Sequence, residues 1–188
     1  SAGQIMANTS LLYPAGRVRL VAEQGVALGE RGLIDVSGRR LNLAGATVDV
    51  AGGEVQVVAR AGDVDLRAGS RIDVSAGNGL AGAGGIGILA SGMARLAGEL
   101  QGAGPDAASA GSFALTADTL DDFTALHRRL NAGGFIHRRS IETLSGDLLH
   151  AAGESIEAQQ LTLVASGGSL TVAGRIAASS ASAPGARS

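Results

Sequence analysis

The phrase "HRRLNAGGFIHRR" sets Arg128, Arg129, Arg138 and Arg139 in two His-Arg-Arg triplets ten residues apart. Guanidinium forks match phosphate, sulfate and carboxylate oxygens two bonds at a time. Four of them gathered in one place would make an anion or acidic-glycan contact. Asp121, Asp122 and Glu142 lie close in the sequence and offer a plainer alternative, structural salt links. No aromatic residues interleave with these arginines as stacked single-stranded nucleic acid requires, so no nucleic-acid partner is expected.

Carboxylates are the second group with chemistry in reach. Asp35, Asp49, Asp65 and Asp73 each sit between two apolar residues, in "LIDV", "TVDV", "DVDL" and "RIDV". Brought together in pairs they would serve as acid and base on a polysaccharide, or bind calcium. As single outward residues they would only keep a strand face wet and discourage lateral pairing. The calcium-roll repeat is not matched, because "GAGGIGILAS" carries the glycines without the aspartate.

Other chemistry has little support in the sequence. His127, His137 and His150 are 10 and 13 residues apart, which is not the spacing of a helical zinc site, and cysteine is absent. They read as solvent-facing or loop residues, with no metal. No G-x-S-x-G elbow is present, and "GAGGIG" (82–87) lacks the lysine and hydroxyl residue of a phosphate loop. It reads as a flexible corner. No catalytic residue, metal or cofactor is expected.

The elements that must position these groups follow from a repeat. Apolar pairs with one residue between them recur at Val18/Leu20, Val26/Leu28, Ile34/Val36, Leu41/Leu43, Val48/Val50, Val55/Val57, Val64/Leu66 and Ile72/Val74, with starts stepping by 8, 8, 7, 7, 7, 9 and 8. A period of two puts both members of a pair on one strand face and the middle residue on the other. The connections are short and rich in Gly, Ala and Ser. Such strands are too short for well-developed hairpins, and Asn-Gly occurs once, at Asn78-Gly79.

An all-β solenoid accommodates this pattern: a right-handed parallel β-helix of about 20–24-residue, three-strand coils. Apolar pairs would stack inward, the middle residues would face water, and glycine would turn corners, often with positive φ. No coil buries enough to stand alone, so stability must come from stacking. The near absence of aromatics (2%) against 30 Gly fits a core that is thin everywhere.

The expected division is β-helix over residues 1–117, a helical insertion packed on it over 118–134, β-helix again over 135–179, and a linker or frayed tail over 180–188. Within the insertion, Leu120, Phe123, Leu126 and Leu130 have helical spacing, with Asp118 as the expected cap and Gly133-Gly134 as the stop.

From Gly111 to Ser179 the order is a helical segment, "NAGGF", "SGDL", and a "LTLVASGGSLTVAGRI" coil. This order, with the Gly/Ala-rich coils before it, resembles the filamentous haemagglutinin-like exoproteins exported by two-partner secretion in Gram-negative bacteria. The resemblance implies a secreted or surface-exposed adhesin in cell adhesion or biofilm formation, and an outer-membrane secretion pore as partner. Passage through that pore unfolded suits a chain without cysteine. The start, "SAGQIMANTS", has neither the basic nor the apolar region of a signal peptide, and the family's secretion domain is missing, so an internal or carboxy-proximal fragment is expected.

The function expected is therefore non-enzymatic: a rigid stalk and contact surface for a surface glycan or protein receptor. Two alternatives stand beside it, a β-helix polysaccharide-degrading enzyme and a structural unit stacking end to end into filaments.

Overall fold

The computed structural model describes residues 4–7, 10–12, 16–43, 45–78 and 80–178. Among the described residues the chain is all-β apart from one short helix. Strands β1 (Gln4–Ala7) and β2 (Ser10–Leu12) are followed by β3 (Arg17–Ala22), β4 (Gly25–Leu28) and β5 (Leu33–Asp35). A pair comes next, β6 (Arg39–Leu43) and β7 (Ala46–Val50), then β8 (Glu54–Ala59), β9 (Val64–Leu66) and β10 (Arg71–Asp73). The long β11 (Gly85–Leu96), β12 (Glu99–Gln101) and β13 (Ser112–Leu120) lead into helix α1 (Phe123–Ala132). The rest is β14 (Arg138–Thr143), β15 (Leu148–His150), β16 (Ser155–Glu157), β17 (Gln160–Ala165), β18 (Leu170–Val172) and β19 (Arg175–Ala177).

Among the described residues every strand pairing but one is parallel. The longest series runs β3, β8, the first half of β11, β13, β14 and β17, each in register with the next. A second runs β1, β4, β9 and the second half of β11. A third runs β2, β5, β10 and β12, and further along β15 pairs β18 and β16 pairs β19. Like therefore stacks on like. Val18, Val55, Ile86 and Phe113 are successive register partners, as are Leu20, Val57, Ile88 and Leu115. From Val55 onward these side chains are buried. Alternation along each strand decides which residues turn inward, and burial of their aliphatic surface holds neighbouring strands together.

The register explains why the apolar pairs step by about eight. Val18/Leu20, Val26/Leu28 and Ile34/Val36 open on β3, β4 and β5, and their partners Val55/Val57, Val64/Leu66 and Ile72/Val74 open on β8, β9 and β10. The spacing between partners is less regular than expected. Arg17 pairs with Glu54, 37 residues on, whereas Arg138 pairs with Gln160, 22 residues on.

Two of the eight pairs account for part of the difference. Leu41/Leu43 and Val48/Val50 do not join the parallel series but form the antiparallel hairpin β6–β7, with Leu41 facing Val48. Leu41 is 40% and Val48 44% exposed, so here the two-residue period marks a surface hairpin and not the core. The same period suits either pairing, and nothing in the spacing separates them.

Corner glycines serve chiefly to let backbone lie on backbone. A Cβ on Gly53 would run into the carbonyl of Gly16, and one on Gly84 into that of Gly53. These three glycines stack one above another. Positive φ explains fewer corners, Gly69 (φ 86°) among them. In "GAGGIG" residues 82–84 form a corner, Gly84 donates to the Val74 carbonyl at 2.7 Å, and β11 begins at Gly85.

The helix starts later than expected. Asp122, not Asp118, is its cap, accepting from the Ala125 backbone N–H at 2.7 Å. Asp118 lies in β13 and accepts from the Ser145 hydroxyl. Gly133 ends the helix and Gly134 follows with φ 76°. Phe123, Leu126 and Leu130 are buried against β12, β15 and β16. The expected tail, 180–188, lies outside the described residues.

Candidate functional site

The two arginine triplets do not form one patch. Arg138 and Arg139 are neighbours on β14, so alternation sends them to opposite faces. Arg138 is exposed and donates through Nε to the Gln160 side-chain oxygen at 2.8 Å. Arg139 is fully buried. Arg128, on α1, pairs with Glu154 at 2.9 Å. Arg129 lies in the last turn of the helix, where a cation suits the negative end of its dipole. The expected salt partners also differ, since Asp122 is occupied as the helix cap.

Arg139 instead occupies a core position. It is the register partner of Phe113 before it and Leu161 after it, in the ladder that begins Val18, Val55, Ile86. Its Nε donates to the Phe135 carbonyl at 2.6 Å, and Nη1 lies 3.3 Å from His127 Nδ1. His127 is buried, not solvent-facing, and so is His150. The Phe123 ring meets His127 edge-on at 4.5 Å between centroids, with His150 6.1 Å from His127. Thr143 adds a fourth buried polar side chain. It takes the place of alanine in the ladder Ala22, Ala59, Ala90, Ala117, Thr143, Ala165.

This cluster is short of hydrogen bonds. His127 Nε2, Arg139 Nη2, Thr143 Oγ1 and both nitrogens of His150 are buried without a partner. Burial, then the charge of Arg139, pushes the His127 pKa down to about 3, which leaves the ring neutral at ordinary pH. Burial also lowers Arg139 to about 10, opposed by the charge of Glu157. No carboxylate forms an ion pair with it among the described residues. The chemistry available here is structural, a neutral histidine accepting at Nδ1 from a confined cation.

Sequence periodicity contained the signal for this cluster. Phe123, Leu126, His127 and Leu130 fall at i, i+3, i+4 and i+7, which places His127 on the apolar stripe. Arg139 alternates with Ile141, and His150 with Leu148, both buried.

The aspartates come into register but not into an acid pair. Asp35 and Asp73 are direct partners across β5 and β10. Each bends back on its own corner: Asp35 accepts from the Ser37 N–H at 2.9 Å, and Asp73 from the Ser75 N–H at 3.0 Å and hydroxyl at 2.6 Å. Arg71 holds the other Asp73 oxygen at 2.6 Å. Asp73 is buried, which would raise its pKa. The two Ser75 bonds and Arg71 outweigh that, and the net shift is downward. The repeated phrase Asp-Val-Ser is thus a turn-closing device, where a wet outward face was expected. Asp49 pairs with Arg40 on the hairpin, and Asp65 with Arg67.

A surface feature escaped sequence reasoning altogether. Across the outward face of β3, β8, β11, β13 and β14 lies an open groove of about 540 Å³. Arg17 and Arg19 stand at one end, Arg138 at the other, and Gly85 and Gly87 lie between. Arginines 17 and 138 are 121 residues apart in sequence, so only the register reveals the arrangement. No protein-family model, curated protein or solved structure matches the chain.

Proposed function

We propose that the chain is a stretch of right-handed parallel β-helix from a filamentous haemagglutinin-like exoprotein, acting without catalysis as a stalk and contact surface in adhesion. The observation that carries this reading is the unbroken parallel register of the six-strand series, with like side chains stacked on like. Such a stack is stiff because each of its inner strands is bonded on both sides, and parallel crossovers are right-handed almost without exception. Insertions such as the β6–β7 hairpin and α1 ride on the stack without breaking it. The stalk would reach the cell surface through an outer-membrane pore and there present its outward faces to a glycan or protein receptor.

A second reading, end-to-end assembly, draws on one observation. Among the described residues β18 and β19 pair on one side only, and Leu170, Val172 and Ile176 are 42%, 42% and 47% exposed. An apolar, unpaired strand edge is a template for another chain.

Small-angle scattering tests the fold, with an elongated particle expected and a sphere ending the stalk proposal. Sedimentation over a concentration series separates single rods from stacked ones. Beads coated with the chain should adhere to cell monolayers; equal adherence by uncoated beads would remove the contact role.

A further inference from the structure

We infer that the groove across β3, β8, β11, β13 and β14 is a binding site for a linear polysaccharide bearing carboxylates, a polyuronate. This deepens the contact-surface reading and rests on it. The first support is a pair of glycines at the start of β11. Gly85 opens β11 and Gly87 is its third residue, and glycine in a strand weakens it and gives it nothing to pack. Neither adopts positive φ. A Cβ on Gly87 would meet nothing within 4 Å, and one on Gly85 would make only ordinary contacts, 3.6 Å at the nearest. Neither packing nor backbone conformation requires glycine here, unlike at Gly53 or Gly84. What the two glycines do is keep the floor of the groove low. Their register partners are also small, Ser112 beside Gly85 and Ala114 beside Gly87.

Charge is the second, independent support. Three guanidinium groups, those of Arg17, Arg19 and Arg138, face a single carboxylate, Glu54, in a chain whose net charge is −2. Arg17 pairs with Glu54 at 2.8 Å, but both are largely exposed, so the pair exchanges readily for a ligand. Arg19 is exposed and, among the described residues, has no hydrogen bond or ion pair to another side chain. The groove crosses four strand spacings, about 19 Å, which suits an extended chain meeting arginine at both ends.

The lining selects among polyanions. Its one aromatic ring, Phe113, is 1% exposed, so nothing offers bases a stacking surface. A peptide strand would need a free sheet edge, and β8, β11, β13 and β14, which carry the groove floor between the arginines, have their backbones paired on both sides. Gln56, Ser112 and Ser140 supply the amide and hydroxyl groups that sugar hydroxyls accept and donate to.

Titration calorimetry of the whole chain with oligogalacturonate, with a neutral dextran oligomer and poly-glutamate as comparisons, tests the site. Binding to oligogalacturonate alone, weakening as salt rises, is expected. Gly87→Phe, which fills the floor, and Arg19→Ala, which removes an exposed charge, should each weaken it by about tenfold or more. Arg128→Ala, outside the groove, should leave it unchanged. Circular dichroism of each variant establishes that it is folded, and Arg19→Ala decides the matter if Gly87→Phe does not fold. No binding, equal binding of poly-glutamate, or unchanged affinity in folded Gly87→Phe and Arg19→Ala overturns the inference. An elongated particle that fails to bind overturns this site alone, whereas a spherical particle removes the proposed stalk beneath it.

Discussion

The strand set β8–β10 and the set β14–β16 solve the same packing problem with different side chains. In the first, the inward positions are Val55, Val57, Ala59, Val64, Leu66, Ile72 and Val74, all buried and all aliphatic. In the second, Arg139, Ile141, Thr143, Leu148, His150 and Ile156 are buried at the equivalent strand faces. Half of those carry polar groups, and α1 adds His127 from outside the strand series. The lesson is that backbone register tolerates a polar layer when neighbouring layers are apolar and a helix closes one side. Phe113 and Leu161 flank Arg139 in its ladder, and Phe123 covers the two histidines.

The sharpest way to break the comparison is to move the charge. Val57→Arg places a guanidinium in the aliphatic set, where no free carbonyl or imidazole waits for it. A loss of about 3–5 kcal/mol in urea unfolding, or failure to fold, is expected. A loss under 1 kcal/mol would mean that any layer accepts arginine and that the His127–Arg139 arrangement is nothing special.

Acid should act through the polar set next. His127 has a pKa near 3 when folded and 6.5 as its ordinary value. Between those limits the unfolded chain holds the proton and the folded one does not, so stability falls as pH falls. The slope is up to about 1.4 kcal/mol per pH unit. Above pH 6.5 both states are neutral and this contribution is constant. Urea midpoints from pH 7 to 4.5 should decline for the parent chain and flatten in His127→Leu. The aspartates held low, Asp63 and Asp73 among them, take over only below about pH 4, where the unfolded carboxylates begin to protonate. A parent chain with a flat profile down to pH 4.5 would contradict the burial of the imidazole.

What could be read in the sequence follows the same division. The aliphatic pairs announced parallel stacking because period two and short glycine-rich corners act locally, and Val26/Leu28, Val55/Val57, Val64/Leu66 and Ile72/Val74 open on parallel strands as that reading put them. The hairpin pairs Leu41/Leu43 and Val48/Val50 were misread because local period does not encode which strand is the partner. Arg139 and His127 were misread for a different reason. Charge suggested exposure, but alternation along β14 and the helical spacing of α1 decided the outcome for Arg139 and His127. The Arg17, Arg19 and Arg138 groove depends on register across five strands, which no local pattern carries.

A smaller effect separates tolerance from benefit in the polar set. Arg139→Leu removes a buried cation that has no ion-pair partner among the described residues and puts an aliphatic side chain between Phe113 and Leu161. The change gives up the bond to the Phe135 carbonyl and the contact with His127. Replacement of buried charge by well-packed apolar groups is often neutral or stabilising, by about 1–3 kcal/mol. We expect a urea midpoint equal to or above that of the parent. The acid slope should also shallow, because the repulsion that helps to keep His127 unprotonated goes with the guanidinium. A drop of more than about 2 kcal/mol would show that the hydrogen bond at 2.6 Å outweighs the burial of charge.

The smallest change asks whether exposed charges on the same set matter at all. Arg128 pairs with Glu154 at 2.9 Å across the surface between α1 and the strand set, with side chains 58% and 28% exposed. Solvent screens such a pair, and holding two long side chains in one geometry costs entropy, so Arg128→Ala should destabilise by less than about 1 kcal/mol. High salt should erase what difference there is, because the Debye length shrinks to about 3 Å at 1 M. A larger loss that persists in salt would mean that the Arg128–Glu154 link docks α1 onto β15 and β16. The polar layer would then depend on its cover more than on its own contacts.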